Sequence, residues 1–312
     1  MARNKFLKRI KRALSYWLVR ILIAVFRSIP RKLAIGIGTA IGRALPLFAQ
    51  KEFGQAVTHL AIAFGPEKSE TEIRLLAREV FLNLALNFID TIRVGAMRAD
   101  AIQDVCVPHH LDRLHRALEE GHGVIGLGSH SGCWELMGAY LVNNGVHVSA
   151  VGRRLYDDRM ERLLSASRRK CGIENLTRGQ DTREVIRALK RGRMVAILID
   201  QDYVNVKGVF VDFFGQPANT AVGPSVLSLK YGAPVVPVLT FRDRSHRHHV
   251  CIGEPLTIER SGSLDTDMER LTAASLAAIE EFVREHPDQW PWFHDRWRTR
   301  PEPDGPAVVV PE

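Results

Sequence analysis

The chain has 312 residues, 46% of them hydrophobic and 25% charged, which is enough for one large core and too short to require two domains. A formal net charge of +8 comes without an aromatic-and-basic RNA motif or a helix-turn-helix, so nucleic acid is not the expected partner. Cys106, Cys133, Cys171 and Cys251 have no paired spacing, which excludes a zinc pattern and a disulfide framework and points to a reducing, cytosol-facing environment.

In chain order, the first twelve residues carry six Lys or Arg and no acid, and residues 13–26, "ALSYWLVRILIAVF", are apolar apart from Ser15 and Arg20. A spanning helix needs about 20 apolar residues, and this run is shorter. No small-residue cleavage site follows, so a signal peptide is not indicated. Basic residues beside Tyr16, Trp17 and an apolar helix predict an anchor lying in the interface of an anionic membrane. We therefore expect residues 1–30 to be a membrane-associating helix and 31–312 one domain, with a helical lead-in over 31–120 and an α/β core over 121–300.

Within the lead-in, Ser69 with Glu72 three residues on is a capping box that opens a helix. From residue 121 short apolar runs alternate with helical stretches: strands at 123–128, 147–152, 194–200 and 234–241, and helices at "CWELMGAYLVNNG", "DDRMERLLSASRRKCG", "DTREVIRALKRG" and Thr220–Tyr231. That alternation predicts an α/β fold whose mixed, largely parallel sheet is flanked by helices. Ligands bind such sheets beyond the carboxyl ends of the strands, so 128–135, 152–154 and 200–202 are expected at one rim.

The rim stretch "LGSHSGCWEL", residues 127–136, holds several reactive side chains. "GSHSG" has the frame of a nucleophile elbow, but His130 takes the central place of the serine. Ser129 and Ser131 then read as turn and cap residues, and Cys133 as packing. His130 sits outside the helix, so the turn can bring its imidazole over Glu135, giving a base and the carboxylate that fixes its tautomer. The commoner fate of such a pair is a capping histidine and a surface glutamate. Arg153 and Arg154 follow a strand and can hold a phosphate or polarise a carbonyl; a solvated basic turn is the alternative. Asp200 and Asp202 end a buried strand, where a carboxylate caps a loop or aligns an arginine. "RDRSHRHH" (242–249) lacks an acid or cysteine at metal-ligand spacing and reads as a basic hairpin facing solvent or headgroups. "GHGVIG" (121–126) precedes a strand instead of following one, so it is not a nucleotide fingerprint.

"SHSGCWEL" resembles the H-x4-D/E signature of glycerolipid-type acyltransferases. Together with "AVGRRL", "AILIDQD", "GVFVDFFGQPANTAVGPSVLSLKYGAPVVPV" and "HPDQWPWFHDRWRTRP", in this order, it is similar to the bacterial lipid A biosynthesis acyltransferases, the late lauroyl and myristoyl transferases. The resemblance covers roughly residues 10–300. It implies a glycerolipid-acyltransferase-like core behind an N-terminal hydrophobic helix, and O-acyl transfer without a cofactor or metal. In that reading His130 is the general base, Glu135 orients it, and Arg153, Arg154, Asp200 and Asp202 support substrate. The implied donor is an acyl thioester, on an acidic acyl carrier protein or on CoA, and the implied acceptor is a hydroxyl of an anionic, membrane-embedded lipid A precursor. It further implies a monomer at the cytoplasmic face of a bacterial inner membrane. Acylation of another glycolipid or phospholipid, and thioester hydrolysis, are the alternatives.

Overall fold

A computed structural model describes residues 2–179, 181–203 and 206–302, with side chains described from residue 13 onward. The basic side chains expected to anchor residues 1–12 lie outside that range. Four helices lead: α1 (Ala2–Ser28), α2 (Arg31–Phe48), α3 (Gln50–Phe64) and α4 (Glu70–Val94). The predicted capping box starts α4, with Ser69 accepting from the Glu72 backbone and Glu72 reaching back to the Ser69 N–H. α5 (Ala99–Val105), β1 (Cys106–His109) and α6 (Leu111–Glu119) then lead into the core.

The core continues as β2 (Val124–Gly128), α7 (Trp134–Asn143), β3 (Val148–Gly152), α8 (Asp158–Lys170), β4 (Glu174–Thr177), α9 (Thr182–Lys190) and β5 (Met194–Leu198). A hairpin of β6 (Gly208–Phe213) and β7 (Gln216–Ala221) follows, then α10 (Gly223–Tyr231), β8 (Val235–Arg242), β9 (His248–Ile252), α11 (Leu264–Glu285) and a 3-10 turn at Pro287–Gln289. The helix expected from Thr220 begins only at Gly223, because Gln216–Ala221 pairs with β6.

Seven strands form one sheet in the order β1-β9-β8-β2-β5-β3-β4. Every pairing in it is parallel except β8 with β9. The α/β expectation of a largely parallel sheet flanked by helices therefore holds. Alternation along β2 explains why both faces are covered: Val124 packs into the cluster around α5–α7, while Ile125 and Leu127 join the cluster of α3, α4, α9 and α11. Trp290, Trp292 and Trp297 close the second cluster, so the tryptophan-rich end is core.

Among the described residues no single helix is long and apolar enough to cross a membrane; α2 and α3 reach that length only as a pair bent by 90°. α2 turns Ala34, Ile35, Gly38 and Gly42 inward. A Cβ on Gly42 would lie 2.8 Å from the Leu82 Cα, so glycine lets α2 approach α4 closely. Leu33, Ile37, Ile41, Leu47 and Phe48 face outward, as do Leu14, Trp17, Leu18, Ile21 and Val25 on α1.

Candidate active site

β2 and β5 are parallel neighbours in which Gly128 pairs with Leu198. Each chain then runs two residues past its strand, which sets His130 beside Asp200. The His130 backbone N–H donates to Asp200 Oδ2 at 2.7 Å, and Nδ1 of its ring donates to Oδ1 at 2.8 Å. The Trp290 indole also donates to Oδ2, at 2.8 Å. Burial raises the Asp200 carboxyl, but the His130 imidazole, its backbone N–H and the indole outweigh burial and hold it below the ordinary carboxylate range. An ionised carboxylate only accepts, so Nδ1 carries a proton, and in the neutral ring Nε2 is the nitrogen with the lone pair. The ring is 22% exposed and meets the Trp134 indole edge-on at 5.2 Å.

The loop is held from the opposite side. Gly132 has φ 58°, and a Cβ there would collide with the Thr240 carbonyl, so the turn requires glycine. Its N–H donates to the Gln289 carbonyl at 3.2 Å. Ser129 and Ser131 hydrogen-bond to each other, and Cys133, not Ser131, is the cap of α7. Cys133 is buried, its thiol pushed up to about 12 by burial, and it does not serve as a nucleophile in that state.

Glu135 does not orient His130, which corrects the sequence expectation. In the first turn of α7 its carboxylate is engaged by Arg168 of α8, whose Nε donates to both oxygens at 3.1 and 3.0 Å and whose Nη2 donates to Oε1 at 2.6 Å. Arg168 also donates to Asn175 of β4. The pair is nearly buried and joins α7 to the β3–β4 side of the sheet.

The remaining expected residues do not meet at His130. Arg153 follows β3 on the exposed surface, and Arg154, in the loop before α8, pairs with Asp158 at 2.8 Å. Asp202 is buried but accepts from Asn219 and from the Thr299 backbone, so it anchors the C-terminal segment. The 242–249 hairpin exposes Arg244, Ser245 and Arg247 as expected, but Arg242 and His248 are buried and both bond Asp90 of α4. Burial pushes His248 down to about 4, against the raising effect of the hydrogen bond its Nε2 donates to Asp90.

His130 opens into a cavity of about 240 Å³ whose wall is largely apolar. One face of α4 supplies Val80, Leu84, Asn87, Phe88 and Thr91, at helical spacing. The C-terminal segment supplies Gln289, Trp290, Phe293 and a second imidazole, His294, which burial and the neighbouring His130 hold below the usual histidine range. Sequence reasoning missed Arg168, Asn87 and His294, and took the Trp290 segment only as a family mark. The 3.6-residue period of α4 was a usable signal for the α4 wall.

The geometry offers an oriented base at the mouth of an apolar pocket, and among the described residues no serine or cysteine hydrogen-bonds to its ring. The sequence of the chain matches the family model for bacterial lipid A biosynthesis acyltransferases over residues 3–299. It is 26% identical over 285 residues to the phosphatidylinositol mannoside acyltransferase of Mycolicibacterium smegmatis, covering 85% of this chain and 90% of that protein. It is 26% identical over 290 residues to the lipid A biosynthesis palmitoleoyltransferase of Escherichia coli, covering 92% of each. To the lipid A biosynthesis lauroyltransferase of Escherichia coli it is 25% identical over 292 residues, covering 92% of this chain and 93% of that protein. The match over almost the whole chain makes the protein an acyltransferase that belongs to the bacterial lipid A biosynthesis acyltransferase family.

Proposed function

We propose that this acyltransferase moves a fatty acyl chain from an acyl thioester on an acidic acyl carrier protein to a hydroxyl of a lipid A precursor. The observation that carries the mechanism is the His130–Asp200 pair, which leaves Nε2 free at the pocket. Nε2 takes the proton of the acceptor hydroxyl as its oxygen attacks the thioester carbonyl. The tetrahedral oxyanion collapses, the C–S bond breaks, and the leaving sulfur takes the proton back from the imidazolium, giving ester and thiol. Asp200 stays ionised and stabilises the imidazolium. Glu135 acts indirectly, by holding α7 through Arg168.

The reaction takes place at the cytoplasmic face of the bacterial inner membrane, with the outward apolar stripes of α1 and α2 in the interface. Leu84 and Phe88 of α4 are both exposed and part of the pocket wall, so the apolar surface runs up to the site. A lipid acceptor reaches His130 from that side. Arg153, Arg162 and Arg169 remain exposed near α8 for an acidic carrier.

Mass spectrometry of lipid A from cells lacking the protein, regaining it, or regaining His130→Ala tests this. The wild type should add one acyl mass, and His130→Ala should transfer 10²–10⁴-fold more slowly. Transfer by His130→Ala near the wild-type rate overturns the mechanism. An acyl mass on phosphatidylinositol mannoside alone overturns the acceptor, and free acid released without any lipid acceptor makes the protein a hydrolase.

A further inference from the structure

We propose that Asn87 is a catalytic residue whose side-chain N–H groups bind the thioester carbonyl oxygen and stabilise it as it becomes an oxyanion. The proposal rests on the acyl-transfer reading above. An acyl transfer needs donors aimed at that oxygen, and the usual source is the backbone of the loop that carries the reactive side chain. Here three of those N–H groups, in the turn nearest the base, are already taken. The N–H of His130 is bonded to Asp200, that of Ser131 to Ser129 Oγ, and that of Gly132 to the Gln289 carbonyl.

Asn87 supplies a side-chain donor at the same pocket. It sits on the pocket face of α4, nearly buried among Val80, Leu84 and Phe88. Its Oδ1 accepts from Arg242 Nε at 3.0 Å. A guanidinium has no acceptor atom, so the amide oxygen must face Arg242 and the NH₂ must point away from it. Nδ2 makes no hydrogen bond to any described residue.

The amide cannot swing, because Arg242 is itself fixed. Its Nη2 donates to Asp90 at 2.8 Å and its backbone N–H donates to Gln289 Oε1 at 3.0 Å. Gln289 is the residue whose carbonyl holds Gly132, so the donor and the base hang on one rigid connection. A cation on the amide oxygen also polarises the N–H groups toward stronger donation in a weakly solvated pocket. Nδ2 is not sealed among buried unpartnered atoms, so a ligand in the pocket can reach it.

The test uses the full chain in mixed micelles, with a lauroyl thioester of acyl carrier protein and a lipid A precursor, comparing Asn87→Asp and Asn87→Ala. Asp keeps the acceptor for Arg242 and removes the donor. Both variants should lose 10²–10³-fold in kcat with KM changed no more than about threefold, while Asn87→Asp melts near the wild type. A wild-type kcat in Asn87→Asp, a loss confined to KM, or recovery of its kcat as pH rises each overturns the assignment; the last would mean only that the new charge had shifted His130. Absence of transfer by the wild type overturns the acyl-transfer reading and this assignment with it.

Discussion

Two carboxylates border the His130 loop, and they differ in what distance along the chain means. Glu135 is five residues from His130 and belongs to another group, the Arg168 guanidinium. Asp200 is seventy residues away and holds the imidazole by two hydrogen bonds. The reason is the sheet. β5 lies directly against β2 in parallel register, so equal overhangs past Gly128 and Leu198 meet. Glu135 is carried by α7 toward α8 and β4. One carboxylate sets a proton, and the other sets the position of a helix.

The sharpest way to break this comparison is Asp200→Asn. Both the His130 backbone N–H and the Trp290 indole donate to Oδ2, so the amide oxygen is required there and the NH₂ must face Nδ1. Nδ1 then has to accept, the ring proton moves to Nε2, and the base is lost while the shape remains. We expect kcat to fall by about 10²–10⁴-fold with a nearly unchanged melting temperature. Turnover within a few-fold of wild type would mean that Asp200 does not set the tautomer.

Next in size is Glu135→Ala, read by chemical unfolding. Removing one partner of a buried ion pair leaves an uncompensated charge and costs about 3–5 kcal/mol. The double change Glu135→Leu with Arg168→Met removes both charges and should recover most of that stability. Turnover per folded molecule should fall far less than in Asp200→Asn. If Glu135→Ala keeps its stability and loses the chemistry, the division of labour between the two carboxylates is wrong.

Much of this was legible in the sequence, for physical reasons that can be named. The strand, turn and helix around His130 follow from local rules, as does the Ser69 cap, and the rim rule brought Asp200 and His130 to one edge. Strand order was not legible: nothing in residues 124–128 or 194–198 says that β5 pairs with β2, so H-x4-E looked like the contact. Arg168 was hidden because a side chain on a polar helix looks solvent-facing until its partner is known. Arg242 and His248 were hidden likewise, since Asp90 reaches them from α4 across 152 and 158 residues. The apparent helix start at Thr220 failed because residues 216–221 pair with β6, a tertiary choice over a local one.

The smallest expected effect completes the series. Arg154 and Asp158 form the same kind of pair as Glu135 and Arg168, at 2.8 Å, but their side chains are 55% and 64% exposed. Water already solvates both charges, so the pair is worth only about 0.2–1 kcal/mol. Arg154 is also outside the pocket that holds His130. Arg154→Ala should therefore leave stability within that margin and turnover within about twofold. A tenfold rise in KM for the lipid acceptor, with kcat and stability intact, would instead make Arg154 a ligand for the acceptor's phosphate. That result would move the acceptor's anionic end to the β3 edge of the rim and leave the His130–Asp200 pair untouched.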